Sequence, residues 1–408
     1  MKNVLWITGI WPPARCSIGR QYKLAKYLPQ YGWNPIVLAY GNSNFDPWID
    51  DTPLKELEHL EVHRTKAGDS KILQQILPFY LRKLGINTNW WAAPDHMIRW
   101  KDYAIKEAEK ITRDNKIDAI FSTASPFTCH LVAQELSQDT GIPWIADFRD
   151  LWTQSNYDSF TDTEREMERQ VVEQADRITF ISPAYVEEFG KQYPEHKHKM
   201  VCITHGYDPE DYEGLPTIID RQISTQAGTF LIVYTGTLYG KRTKGATAFL
   251  YALRQYLDEK GTNNLLVYFV GNCKQIESTI QELGLQDNTV VRPWASKYKA
   301  LSVMSLSDVL LLLMGEGRVD EQATTGKLFD YLGIGKPILA VAPEGEVTRI
   351  LEEVGGAVIA HPNDIDGIAQ AIEVVSKIKS VERGRVEQYD IRNKAREMAE
   401  ILKRITSG

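Results

Sequence analysis

Short apolar runs alternate with amphipathic stretches along most of the chain. NVLWIT at residues 3–8 is followed by the helical pattern GRQYKLAKYLPQYG at 19–32 and then by the apolar run NPIVLAY at 34–40. Continuous apolar strands separated by helices are typical of a parallel sheet that helices cover on both faces. The pattern therefore predicts an α/β fold with a doubly wound sheet.

The same alternation starts a second time after a polar stretch rich in Gly, Pro and Asp. A chain of 408 residues is too long for one ordinary core and is expected to form two domains. We predict a first Rossmann-like domain at 1–204, a linker at 205–228 and a second Rossmann-like domain at 229–385. We expect residues 386–408 to form a C-terminal helix.

The composition, 43% hydrophobic and 25% charged residues, is that of a soluble globular protein. A net charge of −7 argues against general nucleic-acid binding, which requires a basic surface. The four cysteines lack the spacing of a zinc site and indicate a reducing compartment. No apolar run approaches the ~20 residues of a membrane span. We therefore expect a cytoplasmic protein.

In doubly wound sheets, ligands bind beyond the carboxyl ends of the strands, near the first turn from strand to helix. In the first domain this turn lacks the Gly-x-Gly-x-x-Gly fingerprint, which argues against a dehydrogenase and its cofactor. In the second domain the turn is YTGTLYGKRTKG, where Gly236 allows close approach of a ligand to the backbone. Lys241, Arg242 and Lys244 place three cations in it. A solvated basic turn is the alternative.

A further cation stands in ATTGKLFDYLGIGKPILAV, at residues 323–341, where a loop turns into a helix. A helix N-terminus attracts anions, so Lys327 in the first turn is unfavourable unless an anion binds there. Arg242 and Lys327 together could bind a diphosphate without a metal. No Asp-x-Asp pair or histidine cluster suggests Mg²⁺, and we predict no metal site. A solvated lysine is the alternative for this stretch as well.

Several stretches together resemble a known family: WPPARCSIGRQYKLAKYLPQYGWNPIVL, PWIADFRDLW, ITHGYDPEDY, YTGTLYGKR and TTGKLFDYLGIGKPILAV. Over nearly the whole chain the sequence resembles the retaining, nucleotide-sugar-dependent glycosyltransferases of the GT-B fold, in the family-4-like group. The resemblance implies two Rossmann-like domains facing a cleft. The donor is expected mainly in the second domain, the acceptor in the first, and the C-terminal helix is expected to cross back to the first domain.

The resemblance also implies roles for individual residues. Arg242 and Lys327 match the family's donor-phosphate cations and are the predicted catalytic pair. Asp330 stands where the family has the second Glu of a Glu-x7-Glu motif, which contacts the nucleotide ribose. The first Glu would fall at 322, but this position is Gln322, with Glu321 beside it. Either residue could contact the donor sugar.

Further donor-binding residues are implied in the same way. Gly19 matches a glycine loop that lies over the donor diphosphate, and Gly236 lies in the corresponding turn of the second domain. Thr325 and Gly326 stand at the start of the helix whose first turn contains Lys327. Trp294, after the strand pattern NTVVRP, is placed to border the base, with a core tryptophan as the alternative.

The first domain offers three candidates for the acceptor side. Asp147 and Arg149, with Asp150 beside them, follow the buried strand PWIA. They could bind an acceptor hydroxyl, or they could form a structural ion-pair cluster. His130, at a helical position after FSTASPFTC, could line the site or could be an ordinary core histidine.

The implied activity is transfer of a sugar from a nucleotide-diphosphate donor to an acceptor hydroxyl, in cell-surface polysaccharide or glycoconjugate assembly. No carboxylate is prominent as a nucleophile, which suits a front-face mechanism in which the leaving diphosphate takes the acceptor's proton. A nucleotide-sugar 2-epimerase and a non-catalytic partner subunit are the alternatives.

The acceptor is expected to be a carbohydrate or lipid-linked. The apolar and basic insertion at 71–91 could contact a membrane surface, or could form a helix that packs on the first domain.

Overall fold

The computed structural model describes residues 1–13, 19–41, 49–65, 93–154, 160–215, 228–261, 264–378, 381 and 385–407. The chain divides into two compact units. Unit 1 contains Met1–Thr204 and Ile391–Gly408, and unit 2 contains His205–Asp390. The predicted insertion at 71–91 lies outside the described residues.

Unit 1 is built on a parallel sheet of seven strands. The strands are β1 Lys2–Thr8, β2 Trp33–Tyr40, β3 Glu61–Thr65, β4 Ala119–Ala124, β5 Trp144–Phe148, β6 Arg177–Phe180 and β7 Met200–Cys202. Their order across the sheet is β3-β2-β1-β4-β5-β6-β7. Every residue of β4 and β5 is buried, as expected for central strands that are covered on both faces.

Helices lie between these strands along the chain. They are α1 Arg20–Tyr27, α2 Lys101–Asp114, α3 Thr128–Thr140, α4 Asp162–Gln174 and α5 Pro183–Gln192. Local sequence explains where two of them begin. Thr161 and Glu164 form a reciprocal capping box at the start of α4, and Ser182 caps α5 with Pro183 as its first residue.

Unit 2 repeats the architecture with six parallel strands. The strands are β8 Phe230–Thr235, β9 Leu265–Val270, β10 Thr289–Arg292, β11 Val309–Leu313, β12 Ile338–Val341 and β13 Ala357–Ala360. They are ordered β10-β9-β8-β11-β12-β13. Strands β9 and β10 therefore extend the sheet to one side of β8, and β11, β12 and β13 extend it to the other.

The helices of unit 2 pack on both faces of its sheet and form two hydrophobic cores. The helices are α6 Lys241–Lys260, α7 Glu277–Glu282, α8 Lys297–Ser305, α9 Arg318–Gln322, α10 Gly326–Ile334, α11 Glu346–Val354 and α12 Ile365–Val375. In the described part of the chain, no helix has the length and apolar character needed to cross a membrane.

Residues 205–215, which lie in the predicted linker, pack within unit 2. Tyr207 pairs with Asp390 in an isolated bridge. Tyr212 lies against α10, where a Cβ on Gly333 would be only 2.2 Å from the Tyr212 hydroxyl. The remaining linker residues, 216–227, are outside the described ranges.

The C-terminal helix α13, Ile391–Ile405, is amphipathic and belongs to unit 1. Its buried residues Ile391, Ala395, Met398 and Leu402 join the core that contains Leu24 of α1. The predicted fold class, two doubly wound parallel sheets with a C-terminal helix returning to the first domain, is confirmed.

The packing of α13 predicts a measurable loss of stability when an apolar side chain on its buried face is shortened. Leu402 is fully buried, so Leu402→Ala should lower the free energy of unfolding by about 2–5 kcal/mol through lost burial and a cavity. Chemical denaturation provides the measurement. Arg404→Ala, on the exposed face of the same helix, should stay within about 0.5 kcal/mol of the parent protein, and equal effects of both changes would contradict the packing.

Candidate functional site

The strand order of unit 2 reverses at the boundary between β8 and β11. The connections that leave these two strands diverge to opposite sides of the sheet, which opens a crevice at their carboxyl ends. Arg242 follows β8 at the start of α6, and Lys327 follows β11 as the second residue of α10. Both predicted cations thus lie at the topological switch point, where ligands bind in this kind of sheet.

Glycines keep the backbone at this crevice free of side chains. Gly236 follows β8 with φ of 127°, a value that favours glycine. A Cβ on Gly271, after β9, would lie 2.1 Å from the Gly236 carbonyl oxygen. The two turns are in backbone contact, so the sheet edge presents a close-packed surface that a ligand can approach.

Lys327 lies directly over this surface. Its Nζ is 4.0 Å from the centre of the Tyr234 ring and would be 2.7 Å from a Cβ on Gly236. Within the described ranges, this Nζ makes no hydrogen bond and no ion pair. Burial, and then the nearby Arg242, lower the pKa of Lys327 from 10.5 to about 7. The cation is therefore held where its charge is unfavourable in the absence of an anion.

The N-terminus of α10 adds to the attraction for an anion. Thr325 precedes the helix in an extended conformation, and its side chain makes no capping hydrogen bond. Gly326 is the first helical residue, so no side chain extends from the helix at this position. The first N–H groups of a helix have no partner within it, and Lys327 is the next residue.

Arg242 is held by a carboxylate that the sequence analysis missed. Its Nε and Nη2 donate to one oxygen of Asp320, at 3.2 and 2.9 Å. The guanidinium also lies over the Tyr239 ring, with 5.0 Å between its Cζ and the ring centre. The third nitrogen, Nη1, donates to no acceptor in the described part of the chain.

Gly315 is the residue in the sequence that is related to the position of Asp320. Its carboxylate occupies space beside Gly315, where a Cβ would lie 2.7 Å from Asp320 Oδ2. Glycine in the loop after β11 therefore leaves room for an inward carboxylate. This use of Gly315 becomes visible only once Asp320 is placed.

The two candidates for the first carboxylate position are placed differently. The Glu321 side chain accepts a hydrogen bond from the Gly317 N–H at 2.9 Å and closes the N-terminus of α9. Its main chain lies against Gly345, where a Cβ would be 2.3 Å from the Glu321 carbonyl oxygen. Gln322 is the last residue of α9 and is partly buried.

Asp330 and Trp294 lie in two different parts of unit 2, on α10 and in the loop after β10. Asp330 is on the second turn of α10, and its carbonyl accepts a hydrogen bond from the Tyr212 hydroxyl at 3.4 Å. Trp294 is partly buried in the loop after β10. Because β10 lies two strands from β8, Trp294 is displaced by roughly 10 Å across the sheet.

Cys273 is a second residue of this region that the sequence analysis did not assign. The buried thiol donates to the Gly236 carbonyl oxygen at 3.5 Å. Burial raises its pKa to about 12, although Lys327 acts in the opposite direction. The sulfur therefore stays protonated at neutral pH and packs under the glycine turn rather than acting as a nucleophile.

In unit 1, Asp147 is the centre of a buried network. It is fully buried and accepts hydrogen bonds from Thr123 and Thr179, at 2.8 and 2.7 Å. Its ion pair is with Arg20, at 2.8 Å, and the Arg20 Nη2 also donates to the Ile203 carbonyl. These contacts correspond to the structural ion-pair alternative, with Arg20 as the partner.

Arg149 packs against the end of β4. Its Nε donates to the Thr123 hydroxyl at 3.2 Å and its Nη2 to the Ser125 carbonyl at 2.7 Å. The side chain is 6% exposed, so most of its surface is used within the protein. Asp150 is exposed and accepts from the Ser125 hydroxyl.

His130 has the environment of a core histidine. It is fully buried, its Nδ1 lies 2.8 Å from the Ser122 hydroxyl, and its ring packs on Phe148 at 4.6 Å. Burial lowers the pKa of His130 to about 3, which keeps the ring neutral. These contacts correspond to the core alternative.

Gly19 immediately precedes α1. Its φ of −62° is an ordinary helical value, so conformation alone does not require glycine. A Cβ would lie 3.0 Å from the Tyr22 hydroxyl and from Lys23 Cε. Residues 14–18, which precede it, lie outside the described ranges.

Solved structures of glycosyltransferases share this architecture over the full length of the chain. A glycosyltransferase of Rickettsia africae aligns with a TM-score of 0.66 at 14% identity, covering 99% of this chain and 98% of that chain. HepE of Anabaena, in complex with UDP and glucose, aligns with a TM-score of 0.63 at 16% identity, covering 100% and 98%. Other HepE structures contain UDP-glucose or UDP.

A sucrose-phosphate synthase of Thermosynechococcus elongatus also aligns, with a TM-score of 0.63 at 17% identity, covering 100% of this chain and 97% of that chain. The chain has the GT-B fold. No protein-family model matches the sequence, and no curated protein matches it significantly. The likeness therefore lies in the GT-B fold itself.

The environment of Lys327 predicts a pH-dependent effect on stability. Because its pKa is about 7 in the folded protein and 10.5 for an ordinary lysine, the folded state binds fewer protons between these values. The cost of charging Lys327 is therefore complete below pH 7 and disappears as pH rises to 10.5. Lys327→Met should raise the free energy of unfolding at pH 6.5, and the gain should shrink at pH 8 and again at pH 9.5.

Urea unfolding at the three pH values measures this effect. Lys244→Met is a matched control, since Lys244 lies on the exposed surface of α6 and its replacement should not follow the same trend. A gain for Lys327→Met that is equal at all three pH values would contradict the predicted environment.

The buried pair in unit 1 predicts a large stability loss. Asp147→Asn should lower the free energy of unfolding by about 3–5 kcal/mol, because the charge of Arg20 would remain buried without its partner. The exposed Asp150→Asn should change it by about 0.5 kcal/mol or less. Similar values for the two variants in urea unfolding would mean that Asp147 is not the centre of the network.

Proposed function

We propose that the protein is a glycosyltransferase that moves a sugar from a nucleotide-diphosphate donor to an acceptor hydroxyl. One observation carries this proposal: Arg242 and Lys327 lie at the switch point of unit 2, and Lys327 has no anionic partner in the described part of the chain. A diphosphate would supply the missing negative charge. The GT-B fold and the UDP complexes of HepE support a nucleotide-sugar as its source.

The catalytic contribution of these residues would be electrostatic. Negative charge develops on the diphosphate as its bond to the sugar breaks, and preorganised donors at that position stabilise the transition state. Arg242 offers its Nη1, Lys327 offers its ammonium group, and the first N–H groups of α10 add a partial positive charge. An anion beside Lys327 would also raise its pKa and keep it charged through the reaction.

We further propose that the transfer retains the configuration at the anomeric carbon and proceeds without a metal. In a front-face reaction, the acceptor oxygen bonds to the anomeric carbon as the donor oxygen leaves. The leaving diphosphate accepts the acceptor's proton, so no protein nucleophile is required. Two cations at the diphosphate position would take the role that a divalent metal has in other transferases.

The donor sugar and nucleotide would be held by neighbouring residues. The hydrogen bond from the Gly317 N–H to one oxygen of Glu321 turns that carboxylate toward the start of α9 and favours Gln322 as the contact to the sugar. Asp330 remains our candidate for the ribose and Trp294 for the base. Gly236, Thr325 and Gly326 would form the surface under the diphosphate.

We propose that the first domain supplies the acceptor side. The contacts of Asp147 and His130 are those of structural residues, so among the three candidates we assign Arg149 to the acceptor, with Gly19 beside the donor diphosphate. We propose a carbohydrate or lipid-linked acceptor in cell-surface polysaccharide or glycoconjugate assembly, and a cytoplasmic protein at the inner face of the membrane. The membrane contact predicted at 71–91 concerns residues outside the described ranges.

A panel of UDP-, GDP- and TDP-sugars tests the proposal. We expect release of nucleotide diphosphate from at least one donor, by slow hydrolysis or by transfer to added acceptors, and we expect it to persist in excess EDTA. Arg242→Ala and Lys327→Ala should each cost ~2–4 kcal/mol of transition-state stabilisation, the range for loss of one preorganised donor. Kinetics with each purified variant give this cost.

Lys244→Ala is the matched control, because it removes an exposed cation from the same helix as Arg242 and should leave turnover unchanged. A cooperative unfolding transition in each variant would show that the variants are folded. Absence of turnover with every donor would favour the non-catalytic partner subunit, and epimerised sugar nucleotide as the product would favour the 2-epimerase.

A further inference from the structure

We propose that Asp320 is a positioning residue, which orients Arg242 toward the donor diphosphate. Its negative charge weakens nucleotide binding, and the orientation of Arg242 raises kcat. The inference rests on the proposed function. It assigns to Asp320 a role in the reaction through Arg242 rather than by contact with the substrate.

The contacts of the Arg242 guanidinium leave one of its nitrogens, Nη1, available to a ligand. Asp320 accepts from both Nε and Nη2, which fixes the inner edge of the planar guanidinium. Tyr239 covers one face of the same group. Nη1 is the nitrogen left without an acceptor in the described ranges, so the ion pair determines where a phosphate oxygen can bind.

The carboxylate is itself held firmly enough to act as a reference point. The Asp320 side chain is 8% exposed and fills the space beside Gly315, where a Cβ would clash with Oδ2. Asp320 lies on the short helix α9, at whose N-terminus the Glu321 side chain accepts a hydrogen bond from the Gly317 N–H. The main chain of the same helix is fixed against Gly345.

Asp320 also changes the charge of the site. Arg242 and Lys327 supply two positive charges, and Asp320 cancels one of them beside the position proposed for the diphosphate. A negative charge close to a bound polyanion opposes its binding. The site would therefore bind a nucleotide diphosphate more tightly without Asp320, so we infer that the benefit of Asp320 lies in turnover and product release.

Asp320→Asn separates these two effects because it keeps the shape and removes the charge. We expect it to bind UDP and inorganic pyrophosphate about tenfold more tightly at low ionic strength, and this gain should shrink in high salt. We expect kcat to fall by about 10- to 100-fold, since a misdirected Arg242 no longer meets the leaving group. Calorimetry and steady-state kinetics measure the two changes.

Asp258→Asn is the charge-matched control. It removes the same charge from the exposed end of α6, roughly 24 Å along the helix from Arg242, and should change neither affinity nor kcat. Asp320→Glu keeps the charge and should restore the affinity of the parent protein, with a kcat between those of the parent and Asp320→Asn. Unfolding midpoints establish that each variant is folded.

A double-mutant cycle tests whether Asp320 acts through Arg242. In an Arg242→Ala background, adding Asp320→Asn should change kcat less than threefold. An undiminished effect in that background would overturn the proposal, as would weaker or unchanged UDP binding by folded Asp320→Asn. Failure of the proposed function is distinct: in that case the parent protein itself would turn over no donor and bind neither UDP nor pyrophosphate.

Discussion

The partly buried ammonium of Lys327 is the constraint around which unit 2 is organised. Its Nζ lies against a glycine turn and the ring of Tyr234, at the N-terminus of α10 and near a second cation. Burial and Arg242 lower its pKa to about 7. A folded protein keeps a cation in such a place at a cost in stability, and perturbed groups of this kind concentrate where proteins bind or transform ligands.

The two sheets use charge in opposite ways. In unit 1, Arg20 and Asp147 are both buried and neutralise each other, so the pair links helix α1 to strand β5. In unit 2, Asp320 pairs with Arg242, and Lys327 keeps its charge unpaired within the described ranges. The same type of sheet therefore contains a closed ion pair in one unit and an unbalanced site in the other.

Glycine has a specific role at the unbalanced site. Gly236 and Gly271 bring two turns into backbone contact, and Gly315 leaves space for the Asp320 carboxylate. Each position removes a side chain where close approach is required. The result is a crevice made of main chain and two cations, which suits a ligand whose charge is concentrated in phosphates.

The sequence by itself determined the two parallel sheets, because continuous apolar strands report burial on both faces. It also placed Arg242 and Lys327 at one edge, since residues that follow parallel strands lie at their carboxyl ends. Only the tertiary structure decided that Asp320 pairs with Arg242 and that Arg20, rather than Arg149, pairs with Asp147. Only tertiary structure, too, surrounded His130 with apolar neighbours. Periodicity depends on local burial, whereas charge partners and the surroundings of one side chain depend on packing between residues far apart in the chain.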